Sequence, residues 1–528
     1  MLNYSLLQSL LFASLWAGSA YARSAFNIKA HGTGVRFAAS GEPNDIGVTT
    51  SNDNLYTVDI VLGGQKFIVN LDTGSTDLWV YAPGKEIKFT NTTDLHAQLH
   101  YGVGEVNGTI KFAEVQIGDF TIKNQAFIIA TEVKDLDLTD YDGIMGMAFD
   151  NTEIYDKIQG AWGTAAADEL ARAPITSIFA QDTSRPNNFD VQLGRTSELE
   201  DIAEGAFIIS DHADDFESVT KAPQLPRFVD SHWSIVMDAM LVNGKSFAFN
   251  QSRVAGVPSG KTIAVLDSGF SLPQLPGPAV DAIYSSIPGT QYNPSGHEWY
   301  TPCNASTNLT FVFGGQEFPV HPLDLAFPVA APLDINGTGV TNVTVCLNRY
   351  QQSTLDDSFD LILGDAFLRN VYASFDYGDY YPGNNTNGLP FVQMLSTTNA
   401  STMWQEFQEE RAAALAELPP AVDPALVLQA LQRLAQKDED LNNTGMGAAA
   451  LASDDDSSSN GDSWGKKYGP IVLGLLGANL LVGVVLLAVT VTMCVRGVKG
   501  KSVGSRYTPV RFKENADDSE RATLTYSD

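Results

Sequence analysis

Between residues 55 and 393 the apolar positions come in short blocks rather than in helical stripes. Leu55–Leu62 and Phe67–Leu71 have strand character, and Gly63-Gly64 between them is a hairpin signal. Comparable blocks recur at Thr109–Ile117, Ala126–Ala130, Phe207–Ile209, Trp233–Val242, Ile263–Leu266, Leu309–Phe313 and Val371–Phe375. Helical patterns are few and short here, so the chain predicts an all-β body of many short strands. The pattern changes after Ser396. Thr402–Leu418 and Ala425–Gln436 have helical character, broken by Pro419-Pro420, and Asn442–Ser463 is a Ser/Asp/Gly/Ala-rich tract that reads as disordered. Residues 396–469 are therefore expected to form a stalk or linker, with packing of its helices on the β body left open.

Two further apolar runs flank this region. Leu6–Leu15, followed by Ala20-Tyr21-Ala22, has the shape of a signal peptide over residues 1–22 with an A-x-A cleavage site. Ile471–Val495 is 25 residues without a charge, enough to span a bilayer at the rise of a helix. Asp454–Asp456 and Asp462 precede it, and Arg496, Lys499, Lys501 and Arg506 follow. That asymmetry predicts a transmembrane helix at 470–495, a cytosolic tail at 496–528, and everything upstream outside the cytosol. Asn-x-Ser/Thr sequons at Asn91, Asn107, Asn250, Asn304, Asn308, Asn336, Asn342, Asn384, Asn399 and Asn442 agree with an exterior glycoprotein. The expected location is the secretory route to the cell surface or to a vacuolar or endosomal membrane.

Composition narrows the class. The chain has 528 residues, 44% hydrophobic, ample for a large core. Its 62 acidic residues against 32 basic ones give a net charge of −30, a surface that repels phosphate backbones and argues against nucleic-acid binding. With three cysteines the chain is neither a disulfide-dense scaffold nor a cysteine-rich metal protein. Cys303 and Cys346 read either as one disulfide in a secreted chain or as two buried thiols.

The candidate chemistry lies in an internal repeat. Ile68-Val69-Asn70-Leu71 leads into Asp72-Thr73-Gly74-Ser75, and Tyr141-Asp142-Gly143-Ile144-Met145-Gly146 follows. Ile263-Ala264-Val265-Leu266 leads into Asp267-Ser268-Gly269, and Phe359-Asp360-Leu361-Ile362-Leu363-Gly364 follows. Each half thus has an apolar strand ending on a carboxylate, then a tight turn and a second apolar strand closed by glycine. Two such halves suggest a pseudo-twofold arrangement in which Asp72 and Asp267 meet. Paired carboxyls cannot both ionise easily, so they would share one proton and serve as base and acid around a water molecule.

On these motifs the chain resembles the pepsin-like aspartic proteases over residues 52–395. Asp72-Thr73-Gly74-Ser75-Thr76-Asp77-Leu78-Trp79 is similar to that family's first active-site motif, Asp267-Ser268-Gly269 to the second, and Ile362–Arg369 to its late signature. Tyr101-Gly102-Val103-Gly104 resembles the flap hairpin. The resemblance implies a bilobal fold, with an N-terminal lobe at 52–230 and a C-terminal lobe at 231–395. It also implies catalytic Asp72 and Asp267, a flap residue Tyr101 partnered by Trp79, an interloop brace of Thr73 and Ser268, and a disulfide between Cys303 and Cys346. No metal or cofactor is implied. Extended polypeptides are the expected substrates and a monomer the expected catalytic unit, with an acid optimum.

Three departures stand out. Phe270 occupies a place where the family usually has Thr or Ser, so the hydrogen bonding of the two aspartates should be unequal unless Ser271 supplies the hydroxyl that Ser75 gives the first half. Residues 23–51, with Arg23, Lys29 and Arg36, are short for a pro-segment. Asp72 and Tyr101 are only 29 positions apart, without a cysteine pair, which suggests an opener cleft. Phe270 motivates one rival reading, a weak or silent binding module; another is a structural cell-surface glycoprotein. Gly500-Lys501-Ser502-Val503-Gly504 matches a hydrolase pattern without its strand context and is set aside, and His96 and His100 read as surface residues.

Overall fold

The Gly63-Gly64 signal is a two-residue hairpin turn, with φ of 55° and 81°, joining the antiparallel strands Tyr56–Leu62 and Gln65–Asp72. Both angles lie where only glycine sits without strain, and this turn matches the natural twist of the strands. The computed structural model describes residues 48–50, 55–102, 104–150, 152–195, 204–355, 358–378, 389–434 and 436. The expected signal peptide, nearly all of the short segment 23–51, the flap-tip Val103, the run 470–495 and the tail 496–528 lie outside the described residues. Among the described residues no helix is long and apolar enough to cross a membrane.

Burial along Gln65–Asp72 changes from alternating to continuous, with Asn70, Leu71 and Asp72 all covered. The strand therefore enters the core as it reaches its carboxylate. It lies parallel to Gly143–Gly146, which pairs antiparallel with Leu78–Tyr81. The second half repeats this unit. Thr262–Leu266 lies parallel to Leu361–Leu363, which pairs antiparallel with Gln274–Leu275 at Ile362. Even the supporting bonds recur. Ile68 N–H donates to Asp142 Oδ2 at 2.9 Å, and Ile263 N–H donates to Asp360 Oδ2 at 2.8 Å.

The expected division at 230/231 does not separate the hydrogen bonding. Val371–Asp376 and Phe391–Ser396, from the second half, belong to the same 13-stranded sheet as Asn188–Gln192 and Gln65–Asp72. Beneath that sheet Trp233 is fully buried among Phe149, Phe189, Phe375 and Tyr377, with ring centroids 4.6–5.9 Å away. Its indole N–H donates to Met147 O at 2.9 Å, so one side chain of the second half satisfies a carbonyl of the first. A buried ion cluster adds a further tie. Arg195 and Arg369 both donate to Asp324, the latter at 2.7 Å, and Asn370 Nδ2 donates to it at 3.0 Å. Burial alone would raise the Asp324 pKa; the two guanidiniums overcome it and hold the carboxyl well below the usual range. This anchor consequently stays charged in acid.

Of the two arrangements left open for the segment after 396, packing on the β body is the one its first helices adopt. Met403–Glu417 is a helix whose Met403, Phe407, Arg411 and Ala414 are buried. Arg411 donates to Cys303 O at 2.8 Å and to Ala326 O at 2.7 Å. The chain then pairs with Thr344, which donates N–H to Pro420 O and accepts from Val422 N–H, both at 3.0 Å. Helical turns over 424–434 bury Val427 and Ala430, with Val427 against Tyr300, Leu333, Val343 and Val345. The segment packs because it carries the complementary apolar residues and one buried guanidinium; any linker begins after it. Cys303 and Cys346 form a disulfide under this helix, with Cα atoms 5.3 Å apart. Closing a loop of 43 residues stabilises the fold by about 4 kcal/mol on the chain-entropy account.

One titrating contact sits in the shared sheet. His212 Nδ1 lies 2.6 Å from Asp190 Oδ2, which also accepts from Tyr372 Oη at 2.6 Å. The bond to Asp190 raises the His212 pKa above its ordinary value, against the opposing effect of burial, and Asp211 and Asp376 add to the rise. A raised folded pKa means stability that is complete below the unfolded value of about 6.5 and lost as pH climbs through the folded one. The melting temperature is expected to fall between pH 6 and 8, and His212→Gln to remove that part of the slope. An unchanged slope in the variant would assign the effect elsewhere.

Candidate active site

Asp72 ends a strand that is buried over its final residues and Asp267 follows one buried throughout, and only 4% and 6% of their surfaces remain accessible. The turns that follow lock into each other. Thr73 N–H donates to Ser268 Oγ at 3.1 Å, and Ser268 N–H donates to Thr73 Oγ1 at 2.9 Å. Each hydroxyl then donates across the axis, Thr73 Oγ1 to Leu266 O at 2.9 Å and Ser268 Oγ to Leu71 O at 2.7 Å. These four bonds satisfy buried backbone groups and fix the two loops relative to one another. A side chain on Gly74 would run into the Asp267 carboxyl, and one on Gly269 into that of Asp72. The absence of Cβ at both turns is what lets the carboxyls converge. Gly146 lies against the Thr76 backbone and Gly364 against the Phe270 carbonyl, so the glycine that closes each second strand lets the backbones pass closely there.

The carboxyls are within hydrogen-bonding reach of each other but are solvated unequally by the protein. Gly74 N–H donates to Asp72 Oδ1 at 2.8 Å, and Gly269 N–H donates to Asp267 Oδ1 at 2.8 Å. Asp72 also accepts from Ser75 Oγ at 2.5 Å. At the equivalent place of the second half stands Phe270, which has no hydroxyl to give. Burial raises the pKa of Asp72, and the Ser75 and Gly74 bonds partly offset the rise. Burial raises Asp267 well above the usual range, and the adjacent charge of Asp72 pushes it further. Asp72 therefore ionises first and Asp267 keeps the shared proton.

Above the pair stands the hairpin of Phe89–His100 and Glu105–Ile117. At its turn Tyr101 N–H donates to Gly104 O at 3.0 Å. The phenol accepts from Trp79 Nε1 at 2.7 Å, so the anticipated Tyr101–Trp79 contact is present. Burial, then the negative fields of Asp72 and Asp77, raise the Tyr101 pKa well above the ordinary value, and the ring stays a neutral hydrogen-bonding group.

One site neighbour was not singled out from sequence, and another was read only in part. Asp77 is buried, which pushes its pKa up to about 7 against the bonds from Thr152 and the Ile154 and Glu153 amides that open the helix Glu153–Trp162. The motif contained Asp77, but the helix that covers it comes more than 70 residues later. Phe270 was noted for what it lacks; its ring also reaches the flap, so that a Cβ on Gly102 would stand 2.8 Å from Phe270 Cζ. His96 and His100 are exposed on a strand, and among the described residues no cluster of metal-binding side chains occurs.

Residues 55–383 match the family model described as eukaryotic aspartyl protease. Cathepsin D of Dictyostelium discoideum is 25% identical over 66% of this chain and 87% of its own. Vacuolar protease A of Arthroderma otae is 26% identical over 60% and 73%, and embryonic pepsinogen of Gallus gallus 26% identical over 63% and 79%. The crystal structure of an aspartic proteinase from Irpex lacteus superposes with a TM-score of 0.50 at 18% identity, covering 67% of this chain and 99% of that one.

Proposed function

The chain belongs to the eukaryotic aspartyl proteases, and from that premise we propose that Asp72 and Asp267 are the carboxyls through which it hydrolyses peptide bonds of extended polypeptides in acid. The observation that carries this reading is the convergence of two unequally hydrogen-bonded, buried carboxyls on one point beneath a hairpin. Asp72, the first to ionise, takes a proton from water as its oxygen forms a bond to the scissile carbonyl carbon. Asp267 gives its proton to the carbonyl oxygen. The tetrahedral diol then collapses: the C–N bond breaks, the departing nitrogen receives the proton held by Asp72, and Asp267 recovers one from the diol hydroxyl. Products are a carboxylic acid and an amine, and the pair regains its single proton. The Thr73–Ser268 brace holds the geometry, and Tyr101 with Trp79 covers the reacting groups from above.

The active form carries one proton. Activity is expected to fall below the Asp72 pKa, where the base is protonated, and above that of Asp267, where the acid is lost. Because Asp267 lies well above the usual carboxylate range, the alkaline limb should extend above that range too. Phe270→Thr, which restores a donor to the ionised form of Asp267, should move this limb down by about one pH unit. The test is a kcat/KM profile from pH 2.5 to 7.5 on a denatured protein. A rate rising steadily through neutral pH would remove the paired-carboxyl mechanism. Absence of cleavage with retained binding of a statine-type transition-state mimic would favour a binding module.

Tethering rests on the run 470–495 and its flanking charges, and a lumenal or secreted setting on the vacuolar protease and pepsinogen among the relatives. Asn91, Asn250, Asn304, Asn336, Asn342 and Asn399 are exposed, in keeping with glycosylation there.

A further inference from the structure

We propose that Phe270 is a specificity-determining residue that narrows the cleft and selects polypeptides with Gly, Ala or Ser at the position that faces it. The inference rests on the reading of Asp72 and Asp267 as the reacting pair.

The argument starts from the base of the side chain. Phe270 is fixed on three sides. Its carbonyl accepts from Asp365 N–H at 2.9 Å, and its N–H bonds toward Asp267 beneath it. Its backbone is also pressed against Gly364, where any side chain would collide with the Phe270 carbonyl. The backbone therefore has nowhere to retreat, and the ring must occupy the space above the loop. In the first half the equivalent Ser75 turns its hydroxyl down onto Asp72. A phenyl ring has no such bond to make, and it points the other way, toward the flap.

It reaches that far. Phe270 Cζ would stand 2.8 Å from a Cβ on Gly102, and both Cε atoms 3.6 Å, so the ring meets the flap backbone end-on. Gly102 is exposed and Phe270 only half-buried, which places the contact on the open side of the protein rather than in its core. A polypeptide strand lying between the flap and the carboxyls has to pass this ring. Ring and flap are already in contact, so a strand passes only as the flap lifts away from the ring, and a facing residue no larger than Gly, Ala or Ser asks the least of that movement. A Leu or Phe side chain there meets either the ring or the flap. The pocket is a filter made by one side chain on a rigid base.

The experiment is a cleavage profile on a mixed peptide library, with wild-type protein, Phe270→Ala and Phe270→Leu, followed by peptide pairs differing only at the restricted position. The wild type should show one position confined to small residues. Phe270→Ala should raise the ratio of kcat/KM for the bulky over the small peptide at least tenfold, mostly through KM, while Phe270→Leu retains most of the restriction. Affinity for two statine-type peptides, one small and one bulky at that position, gives the same comparison without turnover. A wild-type profile with no such position, or an unchanged ratio and unchanged relative affinities in Phe270→Ala, overturns the proposal. Activity that survives Asp72→Asn would remove the carboxyl-pair reading, and a shifted affinity ratio would leave the assignment of Phe270 intact.

Discussion

Asp72→Asn and Asp267→Asn are each expected to lower kcat/KM on a denatured protein by about 10³–10⁴-fold at every pH, the range of a lost general acid or base. The substitutions are close to isosteric. Gly74 and Gly269 N–H groups still have an oxygen to donate to, and the Thr73–Ser268 bonds do not involve either carboxyl. The urea midpoint should therefore stay within a few tenths molar of the wild type, or rise, since burying these carboxyls is costly. Two carboxyls acting as one unit also predict non-additivity: the double variant should be about as inactive as either single one. Residual activity within tenfold of wild type in either variant would mean that some other group activates the water.

The second large effect concerns the helix Met403–Glu417. Protein ended at residue 395 is expected to be recovered unfolded or insoluble, whereas protein ended at 436 should fold. Without the helix, Cys303 O and Ala326 O lose their guanidinium donors, and the surface that covers Phe407, Ala414 and Val427 opens to water. Arg411→Ala isolates the polar part. Two charge-assisted bonds to buried carbonyls are worth about 3–5 kcal/mol when their donor is deleted, a large share of a net stability of roughly 5–15 kcal/mol. A urea titration of the full chain and the variant measures the loss. Equal midpoints for Arg411→Ala and wild type would return this segment to the role of a tether.

Why the body was legible and this helix's role was not has a physical basis. The strand leading to Asp267 is buried throughout and the one ending at Asp72 is buried over its final residues, so each reads as an apolar approach to a carboxylate, and their duplication makes the pairing visible without any knowledge of distance. The hairpin at Gly63-Gly64 is local chemistry. Met403–Glu417 instead buries an arginine and an alanine where large apolar residues would have marked a packed face, so its periodicity is faint. What it packs on lies 65–108 residues earlier, a contact that no local signal carries. The same holds for the sheet shared by the two halves and for the cover over Asp77. Phe270 is intermediate: the missing hydroxyl could be read from the motif, but the reach of its ring to Gly102 is set by how the two halves fold together.

The unequal turns have a consequence for how such a site can change over generations. In an assembly of two identical subunits, any substitution beside one carboxyl appears beside the other as well. A phenylalanine would then strip both of their hydroxyl donors and crowd the cleft from both sides at once. Here both halves lie on one chain, so Ser75 and Phe270 vary independently. Covalent linkage of a duplicated unit thus permits a broken symmetry, in which both copies keep a carboxyl but one keeps the hydroxyl beside it while the other is free to reshape what enters.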